Sequence, residues 1–174
     1  MYNYHSGLTS THPYSSQWYE WIIMKKPLWA YSDGDLSSQG ICSSISTFGN
    51  PAVWWLGIVA FVMTIYVAVK KKSLKALIII IPYFTQLAPW MLVSRVVFIY
   101  HYFACVPFLI LAIVYLFDYL HERYNLSYKV MYGYCILALV LFVMFYPVIS
   151  GLPVDKQYVK DCLKWFDGWV LTAS

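Results

Sequence analysis

The chain has 174 residues, of which 61% are hydrophobic, 20% aromatic and only 11% charged, with a formal net charge of +4. Soluble domains carry about 25% charged residues, so this composition cannot cover a water-facing surface of ordinary size and points to lipid as the solvent. No basic stretch interleaved with polar sequence supports nucleic-acid binding, and the Lys and Arg residues instead cluster in ways that report membrane topology.

In chain order, the first 50 residues are polar and aromatic, opening MYNYHSGLTSTHPYSS. They lack the basic start and apolar core of a signal peptide. Trp18, Trp21 and Trp29 lie in a segment too short and mixed to span, which reads as interfacial. Glu20 within it is a possible site residue, and the Asp33-Gly34-Asp35 run reads as a turn. Gly49-Asn50-Pro51 then predicts a helix start, with Asn as cap and Pro at the first helical position. Four apolar runs follow, Ala52–Val69, Leu74–Val93, Val96–Leu120 and Val130–Ile149. Each is near the roughly 20 residues that cross a bilayer core. Pro82 and Pro89 predict kinks in the second run. Trp54, Trp55 and Trp90 fall where outer aromatic belts form.

The link between the first two runs carries Lys70, Lys71, Lys72 and Lys75, and the link between the last two carries Arg123 and Lys129. The link between them carries only Arg95. The positive-inside rule puts the first and last links in the cytoplasm and both termini outside. Translocating the N-terminal 50 residues without a signal peptide then implies an earlier transmembrane helix, so the chain reads as the C-terminal part of a larger polytopic protein. The tail Asp155–Leu171 places Tyr158, Cys162, Trp165, Phe166 and Trp169 opposite Lys156, Lys160, Lys164 and Asp167. That pattern predicts an amphipathic helix, either in the headgroup plane or packed on the protein itself. The fold expected is an all-α integral membrane protein: an extracytoplasmic, interfacial segment over 1–51, an antiparallel bundle of four transmembrane helices over 52–149, and an interfacial amphipathic tail over 150–174.

Of the four cysteines, Cys105 and Cys135 fall in apolar runs and read as inert core. Cys42 and Cys162 are expected on one side of the membrane, as a disulfide or as two free thiols. No CxxC pair occurs, and His5 and His12 have no carboxylate or Cys at ligand spacing, so neither metal nor cofactor is expected. Arg95 and His101 carry the most chemistry. An ionisable residue inside a span is a functional hypothesis by default, and the planar fork of Arg suits a phosphate. On α-helical rise His101 would sit about 9 Å deeper than Arg95. Snorkelling of Arg95 and an interhelical hydrogen bond from His101 are the structural alternatives.

Several blocks resemble the C-terminal four-helix membrane region of the protein O-mannosyltransferases. They are YHSGLTSTHPYSSQWYEW with KPLWAY (Tyr4–Tyr31), GNPAVWW (Gly49–Trp55), RVVFIYHYFACVPF (Arg95–Phe108), YPVISGLPV (Tyr146–Val154) and LKWFDGW (Leu163–Trp169), in the family's order and spacing. Ile22 stands where the family often has Pro, and Lys26 where Arg is common, which keeps the charge but loses the bidentate fork. The resemblance implies a glycosyltransferase activity, transfer of mannose from polyprenyl-phosphate mannose to Ser or Thr of exported proteins on the outer or lumenal face. It also implies a preceding N-terminal half bearing the acidic catalytic motif, so that this chain alone is expected to be inactive, with partners in donor, acceptor proteins, membrane lipid and that half. His12, Tyr14, Asn50, Arg95 and His101 are the residues expected to support the lipid-phosphate and acceptor site. The brief external regions resemble bacterial members, which implies the plasma membrane. An independent small scaffold that binds a partner, or a lipid-phosphate carrier, are the alternative readings.

Overall fold

The computed structural model describes residues 12–172; His5 and the start of the first family-like block fall outside them. The elements are α1 (Trp18–Ile22), β1 (Leu28–Ser32), α2 (Gly34–Ser38), β2 (Ile41–Cys42), β3 (Ser44–Thr47), α3 (Pro51–Lys71) and α4 (Leu74–Met91). A 3-10 segment, Ile99–Cys105, then leads into α5 (Val106–Tyr124), followed by α6 (Tyr128–Ser150), β4 (Val154–Asp155), α7 (Lys156–Tyr158) and a π-helical turn, Val159–Leu163. Four stretches are long and apolar enough to cross a membrane: α3, α4, Ile99–Tyr124 and α6. The chain divides into two compact units, one of described residues 12–48, 93–101 and 142–172, the other of 49–92 and 102–141.

The second unit is the helical bundle. Asn50 caps α3 as its sequence predicts, Oδ1 accepting from the Ala52 N–H at 3.0 Å with Pro51 at the first helical position. Ser73 caps α4 in the same way, and left-handed Lys72 and Asn125 close α3 and α5. Those short turns make neighbours antiparallel. The buried face of α3 includes Gly57, Ala60 and Thr64, small residues at helical spacing. They admit α5 closely: a Cβ on Gly57 would stand 2.8 Å from Leu109 Cβ. Lipid offers no hydrophobic drive between helices, so close packing of small residues does this work instead. Above the stripe, Phe61 packs on Tyr83 with centroids 4.0 Å apart, and Trp54 on Tyr102 at 5.0 Å. Trp54 is 1% exposed, so it belongs to the core rather than to an aromatic belt. Both prolines of α4 lie inside one continuous helix. On α6 only Phe145 and Val148 are buried, and Ile136, Leu139, Val140 and Val143 are exposed, as a lipid-facing helix requires. Cys135 is exposed on that helix, not in a core as expected, whereas Cys105 is buried.

The first unit is not all helix. β1 pairs antiparallel with β3 (Leu28↔Thr47, Trp29↔Ser46, Tyr31↔Ile45, Ser32↔Ser44) across a bulge, and β2 with β4 (Ile41↔Asp155, Cys42↔Val154). Asp33 supports the turn expected at Asp33-Gly34-Asp35, its Oδ1 accepting from the Asp35 N–H at 3.0 Å. The tail is helical only from Lys156 to Leu163 and irregular beyond. The long amphipathic helix does not form, because its apolar residues dock individually on the protein. Trp169 is fully buried among Phe48 and Phe145 at centroid distances of 5.4 and 5.9 Å, and its Nε1–H donates to the Met24 carbonyl at 3.0 Å. The hydroxyls of Ser44 and Ser46 donate to the carbonyls of Leu171 and Val170, and Ser43 to Gly151. Cys42 is buried beside Ser44, Cys162 is exposed, and both are free thiols.

Candidate functional site

Four of the residues expected to carry chemistry, His12, Tyr14, Arg95 and His101, lie in the first unit on two adjoining segments. One is 12–17 leading into α1; the other is the irregular run 93–98 with the start of the 3-10 segment. They are joined by the Ser16 N–H, which donates to the Val97 carbonyl at 3.0 Å. Beneath them lies Trp21, fully buried, its Nε1–H shared between the Ser16 carbonyl at 3.0 Å and Oγ at 2.9 Å. Trp21 in turn lies 6.0 Å from the His101 ring, which packs on Tyr100 at 4.2 Å.

His12 is held by its own turn. Its carbonyl accepts from the Ser15 N–H at 3.0 Å and hydroxyl at 2.8 Å, and its Nδ1 accepts from the Tyr14 N–H at 3.2 Å. With Nδ1 as acceptor, the neutral ring carries its proton on Nε2. The ring stands edge-on to Phe98 at 5.1 Å, and Tyr14 stands edge-on to Trp29 at 5.5 Å. The Trp29 Nε1–H is buried with no hydrogen-bond partner among the described residues. Leaving such a donor unmet costs about 1–3 kcal/mol.

Arg95 is exposed and makes no ion pair among the described residues, where the single pair is Lys25–Glu20. It lies within electrostatic reach of His101. Because helix begins only at Ile99, the α-helical depth expected between Arg95 and His101 does not apply: the intervening chain is irregular, then 3-10. The two segments thus carry one exposed cationic fork, Arg95, with His101 in electrostatic reach, and the His12 imidazole against Phe98.

Glu20 is already engaged. Its carboxylate accepts from the Gln17 N–H at 2.9 Å and from Lys25 Nζ at 2.9 Å. Partial burial raises its pKa, but the Lys25 hydrogen bond and charge and the Gln17 N–H outweigh that and hold it below the usual value. It starts α1 rather than standing free as a base. Asn50 lies in the helical unit, where Oδ1 caps α3 and the amide donates to the Ala138 carbonyl of α6 at 2.7 Å. Both ends of its side chain are thus committed to joining α3 and α6.

Sequence reasoning missed Trp21, Trp29 and Phe98, which frame the site, and the buried Tyr83–Tyr102 hydroxyl pair, 2.6 Å apart, which ties the 3-10 segment to α4. The one available signal was the density of aromatics in QWYEW and FIYHYF.

Residues 1–169 match the family model described as the C-terminal four-transmembrane region of protein O-mannosyltransferase. A polyprenol-phosphate-mannose–protein mannosyltransferase of Corynebacterium glutamicum is 25% identical over 95% of this chain and 35% of its own length. Its counterpart in Mycobacterium tuberculosis is 26% identical over 97% of this chain and 35% of its own. Dolichyl-phosphate-mannose–protein mannosyltransferase 5 of Candida albicans is 26% identical over 97% of this chain and 26% of its own. The chain therefore spans about a third of the bacterial relatives it matches. No solved structure matches it. The chain belongs to the protein O-mannosyltransferase family and corresponds to the family's C-terminal four-transmembrane region.

Proposed function

We propose that this chain provides the membrane walls and the phosphate-holding surface for transfer of mannose from a polyprenyl-phosphate donor to Ser or Thr hydroxyls of exported proteins. The observation that carries the proposal is Arg95, exposed and without an ion-pair partner among the described residues, beside His101. In the reaction the acceptor oxygen attacks the anomeric carbon, the bond from that carbon to phosphate oxygen breaks, and the hydroxyl proton leaves to a base. Negative charge accumulates on the departing lipid phosphate. The Arg95 fork, with His101, neutralises it through charge-assisted hydrogen bonds. The His12 Nε2–H supplies a donor for sugar or phosphate oxygens, and Tyr14 packs edge-on against Trp29 beside it. Asn50 acts indirectly, by fixing where α3 begins.

The base comes from elsewhere. Glu20 is held by Lys25 and Gln17, Asp33 caps α2, and Asp155 caps α7. The curated relatives are nearly three times as long as this chain, and a separate N-terminal half carrying a catalytic carboxylate is the partner this reading requires. The chain alone is then inactive. The Lys clusters at 70–72 and the Arg123 and Lys129 link support a cytoplasmic position for those turns. On that reading 1–51 and 150–174 are extracytoplasmic, 52–149 is the membrane bundle, and the protein resides in the plasma membrane.

Binding of polyprenyl-phosphate mannose to the purified chain tests the phosphate-holding role. Arg95→Ala is expected to weaken binding about tenfold, and Arg95→Lys to restore only part of it. Equal binding by wild type and Arg95→Ala would refute the assignment.

A further inference from the structure

A cavity of about 290 Å³ opens in the helical unit among α4, α5 and α6. It takes the end of α5 and the start of α6, the end of the bundle where Lys70–Lys72, Arg123 and Lys129 fall in the chain. One wall is apolar, made by Ile79, Leu111, Val114 and Met131, and suits a hydrocarbon chain. The remaining lining is Tyr115, Asp118, His121 and Tyr128.

Three of the four polar side chains there offer acceptors. Asp118 accepts only, and it has no ion-pair partner among the described residues. His121 Nδ1 lies 2.8 Å from the Leu126 carbonyl, which can only accept, so Nδ1 carries the proton and Nε2 of the neutral ring is an acceptor. The Tyr115 hydroxyl spends its proton on Ser73 Oγ at 3.1 Å and keeps its lone pairs. The Tyr128 ring, 4.3 Å from His121, adds an aromatic face. A set of acceptors with a carboxylate and aromatic faces calls for a ligand that donates hydrogen bonds and carries positive charge. The Lys and Arg residues near these positions in the chain would attract any anionic lipid without discrimination. Asp118 supplies the discrimination.

We propose that this cavity binds a phospholipid with a primary ammonium headgroup, such as phosphatidylethanolamine. The ammonium sits among Asp118, His121 Nε2 and Tyr115, and one acyl chain lies along the Ile79–Leu111–Val114–Met131 wall. The site is independent of the mannosyl-transfer reading.

The test is retention of lipid by the purified, delipidated full chain, measured by native mass spectrometry. Phosphatidylethanolamine, phosphatidylglycerol and phosphatidylcholine of one acyl composition are offered in turn. The unmodified chain should retain phosphatidylethanolamine about tenfold better than either competitor, because phosphatidylglycerol has no ammonium and phosphatidylcholine has no N–H donors. Asp118→Asn should abolish that preference, and Glu122→Gln, outside the cavity lining, should preserve it. Equal retention of the three lipids, preference for phosphatidylglycerol, or an Asp118→Asn variant that keeps the wild-type preference would overturn the proposal. The lipid comparison on the unmodified chain needs no variant, so a folding defect in Asp118→Asn leaves the test standing.

Discussion

In the helical unit, most backbone polar groups find their partners a turn away, and side chains have only to fit, as Gly57 on α3 does against Leu109 on α5. In the other unit the strands are two to five residues long, and their hydrogen bonds join distant parts of the chain. Ser44 grips the carbonyl of Leu171, 127 positions later, and Trp169 reaches back 145 positions to Met24. Short strands of this kind are not stable alone. The helical unit is thus specified locally and the first unit by long-range anchors, and the first unit holds the candidate site. Damage to a distant anchor should therefore reach the site, whereas damage within the bundle should reach helix packing.

The largest expected effect tests that contrast. Trp169→Ala removes a fully buried indole from the Phe48–Phe145 cluster and orphans the Met24 carbonyl, a loss of about 3–5 kcal/mol. Limited proteolysis should cut the first unit while far-UV circular dichroism retains the helical signal. A parallel loss of helix would break the comparison. Next comes Gly57→Leu, which forces α3 away from α5 and costs about 1–3 kcal/mol. Thermal unfolding in detergent should shift downward, with the proteolysis pattern of the first unit unchanged below the transition.

How much could be read from sequence follows the same division. The four spans appear as long, mostly apolar runs, and Asn50-Pro51 marks one helix start to the residue, because both signals are local. Strands β1–β4 carry no comparable signal: two-residue β2 exists only because Val154 and Asp155 arrive beside it. The tail has helical periodicity, yet Trp169 and Leu171 satisfy burial better by docking among Phe48, Met24 and Ser44 than by continuing a helix. Trp54 looked like a belt residue because position along the chain says nothing about which way a helix face turns. Of the site, Arg95 and His101 stood out as ionisable groups beside or within an apolar run, whereas Trp29 is notable only once its N–H is seen to be buried and unmet.

A smaller effect is expected from Tyr83→Phe, which removes half of the buried hydroxyl pair with Tyr102, for about 1 kcal/mol. Thermal stability should fall slightly. Tyr102→Phe in the same background should add little, because the lost bond is shared; full additivity would show that the hydroxyls act independently. The smallest effect belongs to the exposed Glu20–Lys25 pair. Glu20 has a lowered folded pKa, so its contribution is fully present above the unfolded value of 4.5 and is lost as pH falls through the folded one. Lys25 has a raised folded pKa, mainly through its hydrogen bond to Glu20, so its contribution disappears only as pH rises past the ordinary lysine range. Glu20→Gln should flatten the acid limb of the stability profile; an unchanged limb would show that the pair contributes nothing measurable.

The most direct test of the central claim is mannose transfer from polyprenyl-phosphate mannose to a Ser/Thr peptide, measured with this chain alone and with the N-terminal half of a related enzyme supplied in trans. The account predicts no transfer by the chain alone, transfer on complementation, and loss of that activity by about tenfold or more in Arg95→Ala. Transfer by the chain alone would contradict it, and would return attention to Glu20, Asp33 and Asp35 as sources of the base.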